Sequence, residues 1–361
     1  MSNQNKTEEK ERIVFTAVVG NPPYQVTKGG TKNVDVWQHF VKVANLCDAK
    51  WVSMIHPARW VVPKKSMQNN RDEIINAGLQ KFDYFSNSTD LFPSAAIDGG
   101  VSITNFKKDY KGDIDYYIED KKYGKYTKDA RFYANDFEKE IVDKLVSKFD
   151  SDMSERVKGS IGSLNSSDFG YNKTNHIKLL KNDKKGMKNP IKIWATTGFG
   201  KGGSKFDWHY IEKDKINTIP EEILSTRKVL LDKKGHAGIN VGNIINGQFQ
   251  ICEKNSIGQD VFFVLPQNDT DYELKLIQSL FCTKTARFLM SLTQKDLYVR
   301  GFENIPDYTY FMDDMKDPKY NNKMFENKLG LLTDEYFYKK FNFSQELINH
   351  IESHVSAKEI K

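Results

Sequence analysis

The chain has 361 residues, 39% of them hydrophobic and 12% aromatic, enough for two domains with cores of their own and too apolar for wholesale disorder. Lys and Arg exceed Asp and Glu by 54 to 48, a net charge of +6 that permits a polyanionic partner without requiring one. Cys47, Cys252 and Cys282 are widely spaced, which excludes a disulfide framework and a zinc site. The polar start and the lack of any membrane-length apolar run predict a soluble, cytoplasmic protein with no membrane partner.

In chain order, residues 1–12 are charged and read as a disordered lead-in. Ile13 to Gly20 is an apolar run that predicts a buried strand, ended by Asn21-Pro22-Pro23-Tyr24. After the Gly29-Gly30 loop, Val34 to Ala44 carries apolar residues at spacings of three and four, as a helix lying on a sheet does. Trp51 to Ile55 predicts a second strand, Met67 to Leu79 a helix, Phe82 to Phe85 a short strand, and Gly99 to Phe106 a strand entered through paired glycines. Strands alternating with helices imply a twisted sheet with helices on its faces. From about Tyr110 the texture turns to tyrosine, lysine and acids, and Phe132 to Phe149 reads as an amphipathic helix. Farther on, Ile191–Trp194, Lys228–Leu231 and Val261–Leu265 are strand-like runs between glycine and asparagine loops, with one long helix over Asp271 to Leu292. A last helix starts at Ser344, a residue suited to cap it.

Asn21-Pro22-Pro23-Tyr24 carries the chemistry. An amino nitrogen attached to an aromatic ring is a poor nucleophile because its lone pair is delocalised into the ring. Two acceptors aimed at the amino hydrogens localise that pair, and the Asn21 side-chain oxygen and the Pro22 carbonyl can both point inward from one turn. Proline fixes the backbone angles that aim them. Tyr24 offers a face for an extruded base, a stack worth ~1–3 kcal/mol. Taken alone, the same tetrapeptide reads equally as an ordinary turn after a strand.

The run Val18-Val19-Gly20-Asn21-Pro22-Pro23-Tyr24-Gln25, with Ile55-His56-Pro57-Ala58-Arg59-Trp60 after it, resembles the adenine-N6 DNA methyltransferases of restriction-modification systems, in the gamma order with the catalytic motif before the recognition domain. The resemblance implies Asn21, Pro22 and Tyr24 as catalytic residues, Pro23 against the substrate, S-adenosylmethionine as methyl donor, double-stranded DNA as partner, and a target base flipped from the duplex. Leu91-Phe92-Pro93-Ser94-Ala95-Ala96-Ile97-Asp98-Gly99-Gly100-Val101 resembles the loop and strand that deliver a second base-contacting aromatic in this family. Ile103 and Thr104 hold the positions just after the double glycine, which leaves Phe106 as the nearest clamp candidate or else a core residue. Thr283 to Leu289, Phe302 to Pro306 and Leu332 to Tyr338 look like the family's later segments. Its cofactor loop lies upstream of the catalytic turn, and the residues before Asn21 do not match it. The expectation is therefore that this chain alone binds the donor weakly or not at all, being either a split form completed by a complementary AdoMet-binding subunit or a truncated remnant, with such a subunit or a restriction endonuclease as the partner besides DNA.

Gly198 to Ser204 lacks the Gly-Lys-Ser/Thr ending of a phosphate loop. It reads better as a basic loop with Lys201 and Lys205 on DNA phosphates, or as a structural hairpin. Lys233 and Lys234 are a second candidate phosphate contact, or solvated surface. The histidines show no metal spacing, and no nuclease signature is present. The resulting layout is α/β: a partial Rossmann-like methyltransferase sheet in a catalytic half-domain over 13–110, a partly helical connector over 111–185, a mixed α+β target-recognition domain over 186–315, and a helical tail over 316–361. Two alternatives stay open, a catalytically inactive DNA-binding module and an AdoMet-dependent enzyme acting on RNA or a protein amide.

Overall fold

The computed structural model describes residues 15–28, 32–62, 68–95, 97, 99–127, 132–158, 179–196, 206–216, 219–232, 249–258, 261–292, 301–320 and 330–357. They fall into two compact units, residues 1–134 and 135–361. The fold is mixed α/β.

The first unit is built on a six-stranded sheet in the order β1-β4-β6-β5-β7-β8. β1 (Ala17–Gly20) pairs in parallel with β4 (Trp51–Pro57), and α1 (Trp37–Leu46) makes the crossover between them. α2 (Gln68–Asn76) leads into β5 (Leu79–Phe85), and β6 (Val101–Lys107) lies antiparallel between β4 and β5. α1 buries Trp37, Val41 and Ala44 against the sheet, where Val52, Met54, Trp60, Phe82 and Phe106 complete one core. Within it His56 stacks on Trp37 at 4.4 Å, and Trp60 donates to the Ser102 hydroxyl at 2.9 Å.

Three expectations change here. The helix expected from Val34 begins only at Trp37, because Gln25–Lys28 (β2) and Lys32–Asp35 (β3) form an antiparallel hairpin with Gln25 opposite Asp35. The sheet does not stop near residue 110: Ile114–Ile118 (β7) runs parallel to β5, and Lys121–Tyr126 (β8) pairs with β7. Residues 111–134 therefore belong to the first unit and not to a connector, since Ile114, Tyr116 and Tyr126 close its core.

The second unit opens with α3 (Asp136–Lys144), shorter than the helix expected from Phe132, and with Asn135 accepting from the Glu138 amide as cap. It contains a four-stranded sheet, β13-β12-β15-β9, and a three-stranded one, β11-β10-β14. Their strands are β9 (Val157–Lys158), β10 (Pro190–Thr196), β11 (Phe206–Glu212), β12 (Lys228–Asp232), β13 (Phe249–Cys252), β14 (Ser256–Gly258) and β15 (Val261–Val264). After the short α4 (Glu221–Ser225), the long helix expected over Asp271 to Leu292 is two, α5 (Asp271–Cys282) and α6 (Lys284–Ser291). Thr283 breaks it by taking extended dihedrals, and its hydroxyl accepts from the Ala286 amide to start α6. α7 (Asp334–Lys340) and α8 (Gln345–His354) follow, the latter capped by Ser344 as its sequence predicts.

Candidate active site

The site forms where β1 ends. Gly20 stands over Met54, whose sulfur would lie 3.0 Å from an added Cβ, so the small residue keeps the strand end close to β4. Beyond it Pro22 is buried while Asn21 and Pro23 are exposed, and no described side-chain hydrogen bond engages Asn21. The Tyr24 carbonyl accepts from the Val36 amide at 3.0 Å, tying the turn to the start of α1. The Tyr24 ring packs on the core, and its hydroxyl is buried without a partner. Burial pushes this phenol up to about 12, so it stays protonated through neutral pH.

Asn21, Pro22, Pro23 and Tyr24 share a cleft of about 370 Å³ with Phe92, Ala95 and Ile97. That volume suits a small planar ligand. The loop that brings Phe92 here is held by Ser88, which is fully buried. The Ser88 hydroxyl donates to the Ala95 carbonyl at 2.9 Å and accepts from the Ile97 amide at 2.7 Å, while its own carbonyl accepts from the Phe92 amide at 2.8 Å. The loop returns to the sheet through Gly100, at φ +76°, where a Cβ would meet the Phe85 carbonyl oxygen at 2.3 Å. Only glycine fits there. The Gly100 carbonyl accepts from the Ala58 amide at 3.1 Å, fastening this loop to the end of β4.

Phe106 is not part of the cleft. β6 runs from Val101, opposite Pro57 at the motif end, to Lys107, opposite Trp51 at the far end. Five residues of strand put Phe106 about 17 Å from that end. It is 1% exposed, in the core, and borders a separate cavity with Asn45, Asp48 and Lys108. The aromatic that meets the motif is Phe92, which periodicity could not reveal because it sits in a loop. Its one trace in the sequence is the segment Leu91 to Val101, which resembles the loop and strand that deliver a second base-contacting aromatic. Lys201, Lys205, Lys233 and Lys234 lie outside the described residues.

Next to the site, His56 is fully buried. Its Nδ1 lies 3.2 Å from the Pro57 carbonyl, and its Nε2 lies 2.9 Å from the Thr104 hydroxyl, which itself donates to the Met54 carbonyl at 3.2 Å. Burial lowers its pKa to about 4. Among the described residues no group of three or more His, Cys, Asp or Glu could hold a metal ion, and no helix is long and apolar enough to cross a membrane.

The turn that ends β1 and the loop that carries Phe92 thus line one small cleft. A model of the Eco57I restriction-modification methylase family matches residues 1–92, the part of the chain that holds the motif. Over 104 residues the chain is 32% identical to an "Uncharacterized adenine-specific methylase" of Mycoplasma pneumoniae (strain ATCC 29342 / M129 / Subtype 1), a match that takes in 27% of this chain and 25% of that protein. The likeness relates this segment to the adenine-specific methylases of restriction-modification systems. The matched segment spans a quarter of that relative's length. Among solved structures, the Type IIL restriction-modification enzyme MmeI in complex with DNA aligns with 94% of this chain and 54% of its own, at 12% identity and a TM-score of 0.41. A nuclease-deletion mutant of the Type ISP enzyme LlaGI, in complex with a DNA substrate mimic, aligns with 87% and 36%, at 10% identity and a TM-score of 0.39.

The described residues around Asn21 do not by themselves fit S-adenosylmethionine. A nucleotide-like cofactor needs a glycine-rich loop opening a helix and an acidic residue on a strand beside the site. Among the described residues β1 is the last strand on that side, and nothing of this kind stands next to Asn21.

Proposed function

We propose that the first unit is the substrate half of a site-specific adenine-N6 DNA methyltransferase of a restriction-modification system, and that the second unit takes part in recognising the target. The observation that carries the reading is the single cleft joining Asn21, Pro22 and Tyr24 to Phe92. In it an extruded adenine lies between the rings of Tyr24 and Phe92. The Asn21 oxygen and the Pro22 carbonyl accept its two amino hydrogens, which draws the nitrogen lone pair out of conjugation. The role of this chain is thus to hold and polarise the base. Lys201, Lys205, Lys233 and Lys234 are assigned to DNA phosphates on sequence grounds alone, and the usual methyl donor of such enzymes is bound outside the described residues.

The test is the chemical identity of the methylated product. Extract of the native host, given radiolabelled S-adenosylmethionine and duplex DNA, should place label in N6-methyladenine, and extract carrying Asn21→Ala should not. Asn21-dependent label in RNA or protein instead would refute the DNA reading. DNA binding should also weaken steeply with salt, as phosphate contacts require.

A further inference from the structure

In the three-stranded sheet of the second unit, β11-β10-β14, Ile191, Ile193 and Ile211 point into the core, and the residues between them point the other way. On that other face Tyr210 stands opposite Lys192. On the outer side of β11 the chain pairs once more, Lys181 bridging to Tyr210 through amide-to-carbonyl bonds of 3.0 and 2.8 Å. Directly opposed residues share a face, so Lys181, Tyr210 and Lys192 form one row across the sheet, about 10 Å long at two strand spacings. Both lysines are exposed and Tyr210 is partly so. Trp208 lies on the same face two residues along β11. The Lys192 ammonium sits over its ring at 4.9 Å, and the indole N–H donates to the Gln250 side chain at 3.0 Å, which fixes the ring.

The turn that joins the ends of this row adds Lys184, Lys185 and Lys188, all exposed, with Asp183 the only acid between Lys181 and Lys192. Asp183 accepts from the Lys185 amide at 2.9 Å, and Glu212, at the end of β11, accepts from the Lys188 amide at 2.9 Å. Both carboxylates thus shape the turn. Among the described residues none of the five lysine side chains has an ion-pair partner. Other surface lysines of the unit do: Lys213 pairs with Glu221 at 3.1 Å, Lys254 with Asp269 at 3.3 Å and Lys316 with Asp313 at 2.7 Å. Like charges held side by side repel, and an anion laid across them removes that cost.

We infer that this sheet face and the turn beside it seat the phosphate backbone of duplex DNA. The row of Lys181, Tyr210 and Lys192 spans about three phosphate steps of one strand, at roughly 3.4 Å of rise each. The Tyr210 hydroxyl, between two ammonium groups, donates to a phosphate oxygen, and Trp208 is a positioning residue that keeps Lys192 above the sheet. Lys184, Lys185 and Lys188 meet the backbone alongside as point charges. Contacts of this kind set where the duplex lies and read no base. The charge pattern calls for a polyanion, and the choice of DNA among polyanions rests on the methyltransferase reading.

The test measures binding of the full chain to a fluorescently labelled duplex of arbitrary sequence, by anisotropy across a salt series. One variant combines Lys184→Gln, Lys185→Gln and Lys188→Gln. A control loses the same charge through Lys316→Gln, Lys319→Gln and Lys339→Gln, exposed lysines elsewhere in the unit. Every substituted lysine is at the surface, and circular dichroism checks that each variant folds. The first variant should bind at least about tenfold more weakly at about 0.1 M salt and lower the slope of log affinity against log salt by about 2 to 3, while the control stays within about threefold of the wild type with its slope unchanged. Lys192→Gln should lower the slope by about 1, and Tyr210→Phe should weaken binding about two- to tenfold with the slope unchanged, because a hydroxyl carries no charge. The inference is overturned if the two triple variants behave alike, if the wild type does not bind the duplex, or if labelled polyglutamate binds the wild type more tightly than the duplex does. Asn21-dependent N6-methyladenine is read separately. Its presence without the slope change retires this face and leaves the methyltransferase reading standing, and the slope change without it does the reverse.

Discussion

Protonating His56 should destabilise the first unit as pH falls from 6.5 towards 4. The ring is fully buried and stacked on Trp37. Its pKa is lowered from 6.5 to about 4. The folded state therefore holds fewer protons than the unfolded chain between these values, and stability is lost as pH falls through that window. The linkage integral gives a loss of about 2 kcal/mol between pH 7 and 5 and about 3 kcal/mol by pH 4, flattening below. Urea unfolding at a series of pH values measures it on the wild type and on His56→Phe, which keeps a ring against Trp37 and cannot titrate. His350, lowered to about 4 by burial and then by neighbouring His354, contributes equally to both proteins and cancels in the difference. Parallel stability curves for the two proteins, or a folded-state His56 titration near 6.5 by NMR, would refute the reasoning.

Phe92→Ala should lower methylation of the target sequence by about 5- to 150-fold, the worth of one base stack, whereas Phe106→Leu should cost stability and leave the rate per folded molecule unchanged. Ser88→Ala strips partners from the Ala95 carbonyl and the Ile97 amide at once, a loss of about 2–5 kcal/mol concentrated in the loop. Faster amide exchange over residues 88–97 should accompany a fall in methylation, and unchanged exchange would show that Ser88 does not hold the loop. In the second unit the Asp334 carboxylate accepts from the amides of Lys284 and Thr285 and from the Thr285 hydroxyl, capping α6 from outside. Asp334→Ala should lower its unfolding free energy by about 1–3 kcal/mol, measured in urea.

What could be read from the sequence followed local chemistry. Asn21-Pro22-Pro23-Tyr24 marked the end of a strand because proline cannot extend one. The hairpin of β2 and β3 was hidden because its short strands, Gln-Val-Thr-Lys and Lys-Asn-Val-Asp, are mostly polar. β7 and β8 were obscured by lysines and tyrosines, although Ile114 and Tyr116 alternate as a strand's inward face should. The break at Thr283 is a choice between continuing a helix and capping a new one, and the apolar pattern runs through it unchanged. Phe106 was the wrong aromatic for a topological reason: because β6 is antiparallel to β4, residues late in β6 move away from the motif. The loop that brings Phe92 back depends on the buried Ser88 and on Gly100, contacts that no periodicity encodes.

The most direct test of the central claim is a map of N6-methyladenine across the native host's genome, compared between the wild-type locus and one carrying Asn21→Ala. A cleft that holds and polarises adenine predicts that one recognition sequence, methylated at nearly every copy in the wild type, loses its N6-methyladenine in the variant while the protein level is unchanged. Identical maps, with Asn21→Ala folded and present, would contradict it.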